Sequence, residues 1–302
     1  MTKFQIVLEF GNNKYLVIIM KKINLIIKVM LIILTTAVSG LILEQRVSAS
    51  TTETTKSNKR QIPTLFFHGF GGTVHSMDYL IDQSQIDGYA TRTLTITVNP
   101  QGKVRLFGNW PKSAHNPEIQ ILFLNNHESD YHHTAKWIDA TLKKLHQNYG
   151  VTRFNAVAHS WGNNAVLYYL ETYSQKKNQP QIDSLVNIAA PMQVLNRDIY
   201  RRNDWRYSKQ LNRDFRTYIE PDSTIRKLHI RELNIMGQLT TEDHFDKAVP
   251  VASAQSLQRV FKGSHQTYQA RLFTGPRAEH SALTRRNPKV LHDIENFLWN
   301  RP

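Results

Sequence analysis

Residues Phe154 to Tyr173 place the tightest constraint on what this chain can fold into. A short apolar run, Phe154 to Ala158, leads without a spacer into Ala158-His159-Ser160-Trp161-Gly162, and a helical pattern continues to about Tyr173. A strand that passes straight into a helix must turn sharply at Ser160. Small residues two before and two after the serine permit that turn and leave its hydroxyl projecting from the end of a sheet. Alanine stands at position 158, where the G-x-S-x-G pattern has glycine.

The surrounding sequence supplies a matching frame. Pro63 to Phe67 is a buried-type strand that ends at His68-Gly69-Phe70-Gly71-Gly72, a glycine-rich turn. Residues 92–98 and 103–107 flank Asn99-Pro100-Gln101-Gly102 and predict a hairpin. Ile119 to Leu124, Ile182 to Ile188, Leu228 to Ile235 and Tyr268 to Phe273 read as further strands. Helical spacing of Trp137, Ile138, Thr141, Leu142 and Leu145 places a helix over about 131–149, stopped by Gly150, and a last helix spans about Pro288 to Trp299. Strands alternating with helices predict an α/β domain over 61–302, with a mainly parallel central sheet, helices on both faces and one extra hairpin. Residues 196–227, rich in charge and carrying Trp205, Tyr207, Phe215 and Tyr218, read as a cap-like insertion lying over the domain. Its aromatics either shape an acyl pocket or pack the insertion down.

Serine is a poor nucleophile at neutral pH and needs a base within hydrogen-bond reach and donors for the oxyanion that forms. In the strand–serine–helix arrangement the donors are the amide after the serine and one from an early loop, here the N–H groups of Trp161 and Phe70. An acid and then a histidine should follow in chain order. Asp246, just before Val249-Pro250-Val251, is the favoured acid, with Asp243 and Glu242 as competitors. His280, between the last strand and the last helix, is the base; His265 precedes that strand and is misplaced. His159 reads as a packed or hydrogen-bonded turn residue that points away from the serine.

The N-terminus differs from the rest. Residues 29–43 form a 15-residue uncharged apolar run, preceded by Lys21, Lys22 and Lys28 and followed by Val47-Ser48-Ala49. That is the pattern of a secretory signal peptide cleaved after Ala49, with an uncleaved anchor as the alternative and Met20 as the natural start. The run is short of the roughly 20 apolar residues a membrane span needs. Residues 50–60 read as a flexible linker. Without residues 1–49 the chain keeps 32 Lys/Arg and 22 Asp/Glu, a net charge of +10. Outside a cell, this charge suits loose association with an anionic wall or membrane surface. No nucleic-acid module is recognisable. With no cysteine there is no disulfide and no thiolate metal site.

The motifs His68 to Thr73, Ala158 to Asn163, Asp246 to Ala254 and Glu279 to Leu283 resemble those of the α/β-hydrolase superfamily. Within it, they resemble the domain-of-unknown-function family of exported, lipase- or esterase-like serine hydrolases of Gram-positive bacteria. The resemblance runs over nearly all of 60–302. It implies a lipase- or esterase-like Ser-Asp-His hydrolase of the cell surface. Beside it, the expected location is secreted or cell-surface, the expected partner an acyl-ester or lipid-like small molecule, and no cofactor or metal is expected. It does not choose the substrate. An amidase, an acyltransferase or a non-catalytic binding protein on the same scaffold remain as alternatives. Family members often have Asp-Gly at the acid, where this chain has Asp246-Lys247. The histidine-rich stretch Asn126 to His133 lacks H-E-x-x-H spacing and falls at a helix start, so a cap is expected there instead of a metal.

Overall fold

The computed structural model describes residues 62–193, 205–263 and 265–299, within the unit Thr54–Pro302 into which the chain separates. The leader, the Met20 start, the linker and residues 196–204 of the insertion lie outside the described residues.

Eight strands form one sheet: β1 (Thr64–Phe67), β2 (Thr91–Val98), β3 (Val104–Gly108), β4 (Pro117–Phe123), β5 (Arg153–His159), β6 (Gln181–Ile188), β7 (Arg231–Gln238) and β8 (Thr267–Thr274). Their order is β3-β2-β4-β1-β5-β6-β7-β8. Only β3 runs antiparallel, paired with β2 as the expected hairpin. Strands buried on both faces need apolar residues at successive positions, which is why β1 reads as Leu65-Phe66-Phe67. Leu65 and Phe67 join the core on one face and Phe66 the core on the other.

The first face is covered by α2 (Tyr131–Tyr149) and α3 (Trp161–Thr172). Asp130 caps α2 by accepting from the His132 N–H, and Gly150 ends it at φ 64°, a left-handed conformation that glycine adopts without strain. The second face is covered by α1 (Asp78–Ile86) and α6 (Pro288–Leu298). In α6, Val290, Leu291, Ile294, Phe297 and Leu298 form one apolar stripe, and Asn287 caps its start.

The described part of the insertion is α4 (Trp205–Ile219) and the short α5 (Thr224–Lys227). Leu211, Phe215 and Tyr218 of α4 are buried and join the first-face core. Phe215 and Tyr218 therefore pack the insertion onto the domain. The strands β2 and β4 fall to one side of β1 in the sheet, and β5 to β8 to the other. In open parallel sheets the crevice outside the carboxyl ends at such a switch point is where ligands bind. The loop after β1 and the turn after β5 meet there.

Candidate active site

Ser160 follows β5 directly and opens α3, with φ 54° and ψ −126°. A non-glycine residue at positive φ is uncommon and persists only when its surroundings hold it. Here the Ser160 N–H donates to the Ile188 carbonyl at 2.9 Å. The Asn163 side-chain amide donates to the Ser160 carbonyl at 2.9 Å and to the Ile188 carbonyl at 3.0 Å. Gly162 has no alternative, since a Cβ would stand 2.6 Å from the His68 carbonyl oxygen. Ala158 can replace glycine because its methyl group is fully buried in the first-face core, where it fills space.

The turn aims the hydroxyl at His280. The Ser160 Oγ–H donates to His280 Nε2 at 2.8 Å, and His280 Nδ1–H donates to Asp246 Oδ2, also at 2.8 Å. Asp246 is 1% exposed. Its other oxygen accepts from the N–H groups of Ala248 at 2.9 Å and Val249 at 2.6 Å. The competitors lie elsewhere: Asp243 and Glu242 are exposed, and Glu242 accepts from the Thr241 hydroxyl. His265 stacks on His229, at a ring separation of 4.3 Å, ahead of β8. The structure thus brings Ser160, His280 and Asp246 together and leaves the other candidates apart.

The loop after β1 closes the other side. A Cβ on Gly69 would stand 2.8 Å from Ser160 Cβ, so the loop can approach the serine only with glycine there. Gly71 N–H donates to the Asn126 carbonyl and the Asn126 side chain to the Gly72 carbonyl, which ties the loop to the segment after β4. Among the described residues the Phe70 N–H has no acceptor. The Trp161 amide begins α3 next to the serine, and its indole N–H donates to the Ser129 carbonyl at 3.0 Å. Phe70, Asn125, Asn126, Glu128 and Trp161 line a recess at this point.

Residues 51–301 match the family described as alpha/beta hydrolase of unknown function (DUF915). The chain belongs to this alpha/beta hydrolase family. Among solved structures, the hydrolase is similar to a gene product of Listeria innocua, 28% identical, with a TM-score of 0.67 over 80% of this chain and 95% of that one. It shares its fold with a Lactobacillus plantarum protein proposed to be a cell surface hydrolase, 20% identical, with a TM-score of 0.60 over 79% of this chain and 90% of that one. No curated protein matches it.

Three supporting side chains of the hydrolase were not assigned a part in the site by pattern. Asn163 holds the elbow, as above. His68 donates from Nδ1 to the Gly69 carbonyl at 2.8 Å and accepts at Nε2 from the Phe123 N–H at 3.1 Å, which locks the glycine loop to β4. Burial pushes its pKa down. His159 is buried and hydrogen-bonded: Nε2–H donates to the His280 carbonyl at 2.9 Å and the two rings lie 4.7 Å apart. Burial, and then the proximity of His280, push the His159 pKa well below that of a free histidine, so its ring stays neutral beside His280. Each of the three has at least one partner far away in the chain, the Phe123 N–H for His68, the His280 carbonyl for His159 and the Ile188 carbonyl for Asn163, a signal no local spacing carries.

The histidine-rich stretch is taken up by hydrogen bonds. His132 Nε2–H and the Tyr131 hydroxyl both donate to Asp214 of α4 at 2.6 Å, and His133 faces Glu128. Burial raises the Asp214 pKa, but the donors His132, Tyr131 and Arg213 outweigh it and hold the carboxyl below its ordinary value. Among the described residues no three such side chains are placed to hold a metal ion. Nor is any described helix long and apolar enough to cross a membrane.

Proposed function

We propose that this chain is an exported serine hydrolase that cleaves a carboxylic ester through an acyl-enzyme on Ser160. The observation that carries the reading is the continuous chain Ser160 Oγ–His280 Nε2 and His280 Nδ1–Asp246 Oδ2, each link 2.8 Å, at the carboxyl end of the sheet beside a glycine loop.

In this reading Ser160 Oγ attacks the ester carbonyl carbon while His280 Nε2 takes its proton. The carbonyl oxygen becomes an oxyanion held by the N–H groups of Phe70 and Trp161. The tetrahedral species collapses, the carbon–oxygen bond to the alcohol breaks, and the imidazolium gives the proton to the departing alcohol. Water, deprotonated by His280, then attacks the acyl-enzyme, and a second collapse returns Ser160 and releases the acid. Asp246 orients His280 and faces the positive charge that the ring acquires at each step. The basic surface and the leader motif support action outside the cell, at or near its surface.

The test is hydrolysis of a short-chain nitrophenyl ester by the full chain and by Ser160→Ala, with fluorophosphonate labelling in parallel. Hydrolysis and labelling should both require Ser160. Equal activity in the two proteins, or failure of the wild type to label, would overturn the assignment in favour of a binding protein on a hydrolase scaffold.

A further inference from the structure

We infer that the end of the sheet opposite Ser160 is a docking surface for a flexible phosphodiester polymer, formed by Arg226, Lys227, His229, Arg259, Lys262 and His265. Ser160 stands at the carboxyl end of β5, whereas the segments 226–229 and 259–265 lead into the amino ends of β7 and β8, in the same parallel array. A polymer held there leaves the mouth of the catalytic crevice open.

The two segments are fastened together. Arg226 Nη1 donates to the Arg259 carbonyl at 3.2 Å, Gln266 to the Ile225 carbonyl at 2.6 Å, and the Thr267 N–H to the Ile230 carbonyl at 3.1 Å. The rings of His229 and His265 stack across the junction. Side chains from both segments therefore share one surface. Five of the six are exposed and Arg226 is half-buried.

This surface gathers four Lys/Arg side chains, Arg226, Lys227, Arg259 and Lys262, that hold no ion pair among the described residues. Arg92, Lys143, Arg153, Arg213 and Arg271 each face an aspartate. Among the described residues none of the six has a carboxylate within ion-pair distance. In sequence, Glu220 and Asp222 are the nearest solvent-facing carboxylates before Arg226, and from Lys247 to Ala278 there is no Asp or Glu. In space, the Glu171 carboxylate lies beside the first segment but is taken up by the Ser223 hydroxyl and the N–H groups of Thr224 and Ile225. Clustered like charges repel one another, and a polyanion relieves that repulsion.

The character of the surface selects the polyanion. Each exposed charge at contact distance is worth only about 1 kcal/mol in water, so a single phosphate gains little. A polymer engages several cations at once and releases its own counterions. Membrane insertion would call for exposed large apolar side chains among the cations; those of the domain lie outside 224–230 and 256–266. Single-stranded nucleic acid would call for aromatic platforms, and only the two imidazoles are present.

The experiment measures binding of synthetic poly(glycerol phosphate) to the full chain by fluorescence anisotropy, for the wild type and a Lys227→Ser/Arg259→Ser/Lys262→Ser triple variant. We expect about a tenfold or greater loss of affinity in the triple variant at roughly 50 mM salt, and a steep fall in wild-type affinity as salt rises. Ester hydrolysis should be unchanged. A Lys227→Arg/Lys262→Arg variant should keep wild-type binding, which separates charge from folding. Equal affinity in wild type and triple variant would overturn the inference. So would tighter binding of single-stranded DNA, of phosphatidylglycerol vesicles or of inorganic phosphate than of the polymer. The binding measurement does not depend on the catalytic reading, so either can fail alone.

Discussion

Asp246 and His280 are joined twice. The Asp246 carboxylate accepts from His280 Nδ1–H at 2.8 Å, and the Asp246 carbonyl accepts from the His280 backbone N–H, also at 2.8 Å. The backbone link survives a change of side chain, so the loops should stay docked when the acid is altered. Asp246→Asn should therefore fold normally and lose about four orders of magnitude in kcat, because an amide no longer favours the tautomer with Nε2 bare. Asp243→Ala and Glu242→Ala should lose almost nothing. Retained turnover in Asp246→Asn would remove it as the acid.

Gly69 and Ser160 are in contact, and a methyl group on Gly69 must displace either the serine or the loop. Gly69→Ala should cost about a hundredfold or more in kcat, since displacements near 1 Å at a reacting group have that effect. Gly69 is buried, so a fall in melting temperature should accompany the loss of activity. A fully active Gly69→Ala enzyme would show that the loop does not need this approach.

Lys247 explains the departure from the Asp-Gly pattern at the acid. It adopts φ 83°, in the region that favours glycine. Left-handed backbone costs a non-glycine residue roughly 1–2 kcal/mol, and glycine gives part of that back through greater freedom in the unfolded chain. Lys247→Gly should raise stability by up to about 1 kcal/mol in urea denaturation, with activity kept. A destabilised variant would mean that the lysine side chain makes a contribution larger than the strain.

Glu232 is buried in β7 and accepts from the Asn187 amide at 2.8 Å, and among the described residues its second oxygen has no hydrogen-bond partner. Burial pushes its pKa well above the ordinary 4.5. The folded state then holds a proton that the unfolded state releases above pH 4.5. The protonated group's contribution is fully present below that pH and is lost progressively as pH rises toward the folded-state value. Glu232→Gln is neutral at every pH, so its stability relative to the wild type should increase as pH rises from 4.5 to 7. Melting curves across that range check this; a constant difference would place Glu232 in a solvated environment.

The main features of this hydrolase were readable along the chain. Seven parallel strands, the hairpin and the two long helices at 131–149 and 288–298 follow from apolar runs, turn residues and helical spacing. Each is a short-range pattern that a single segment carries. Ser160, Asp246 and His280 could be singled out as candidates because the elbow, the acid loop and the late histidine each sit at a fixed place relative to a strand, and the structure brings the three side chains together. Local pattern could not choose firmly among Glu242, Asp243 and Asp246, three carboxylates in five residues. The tertiary structure separates them by burying only Asp246 against His280. The same holds for His159, His68 and Asn163, whose partners lie 121, 55 and 25 residues away, and for Gly69, needed only because Ser160 arrives from β5. Periodicity and turn chemistry act over a few residues and so are written in the sequence. Which carboxylate is desolvated, which histidine is neutral and which cations lack a counter-charge depend on what the fold brings alongside.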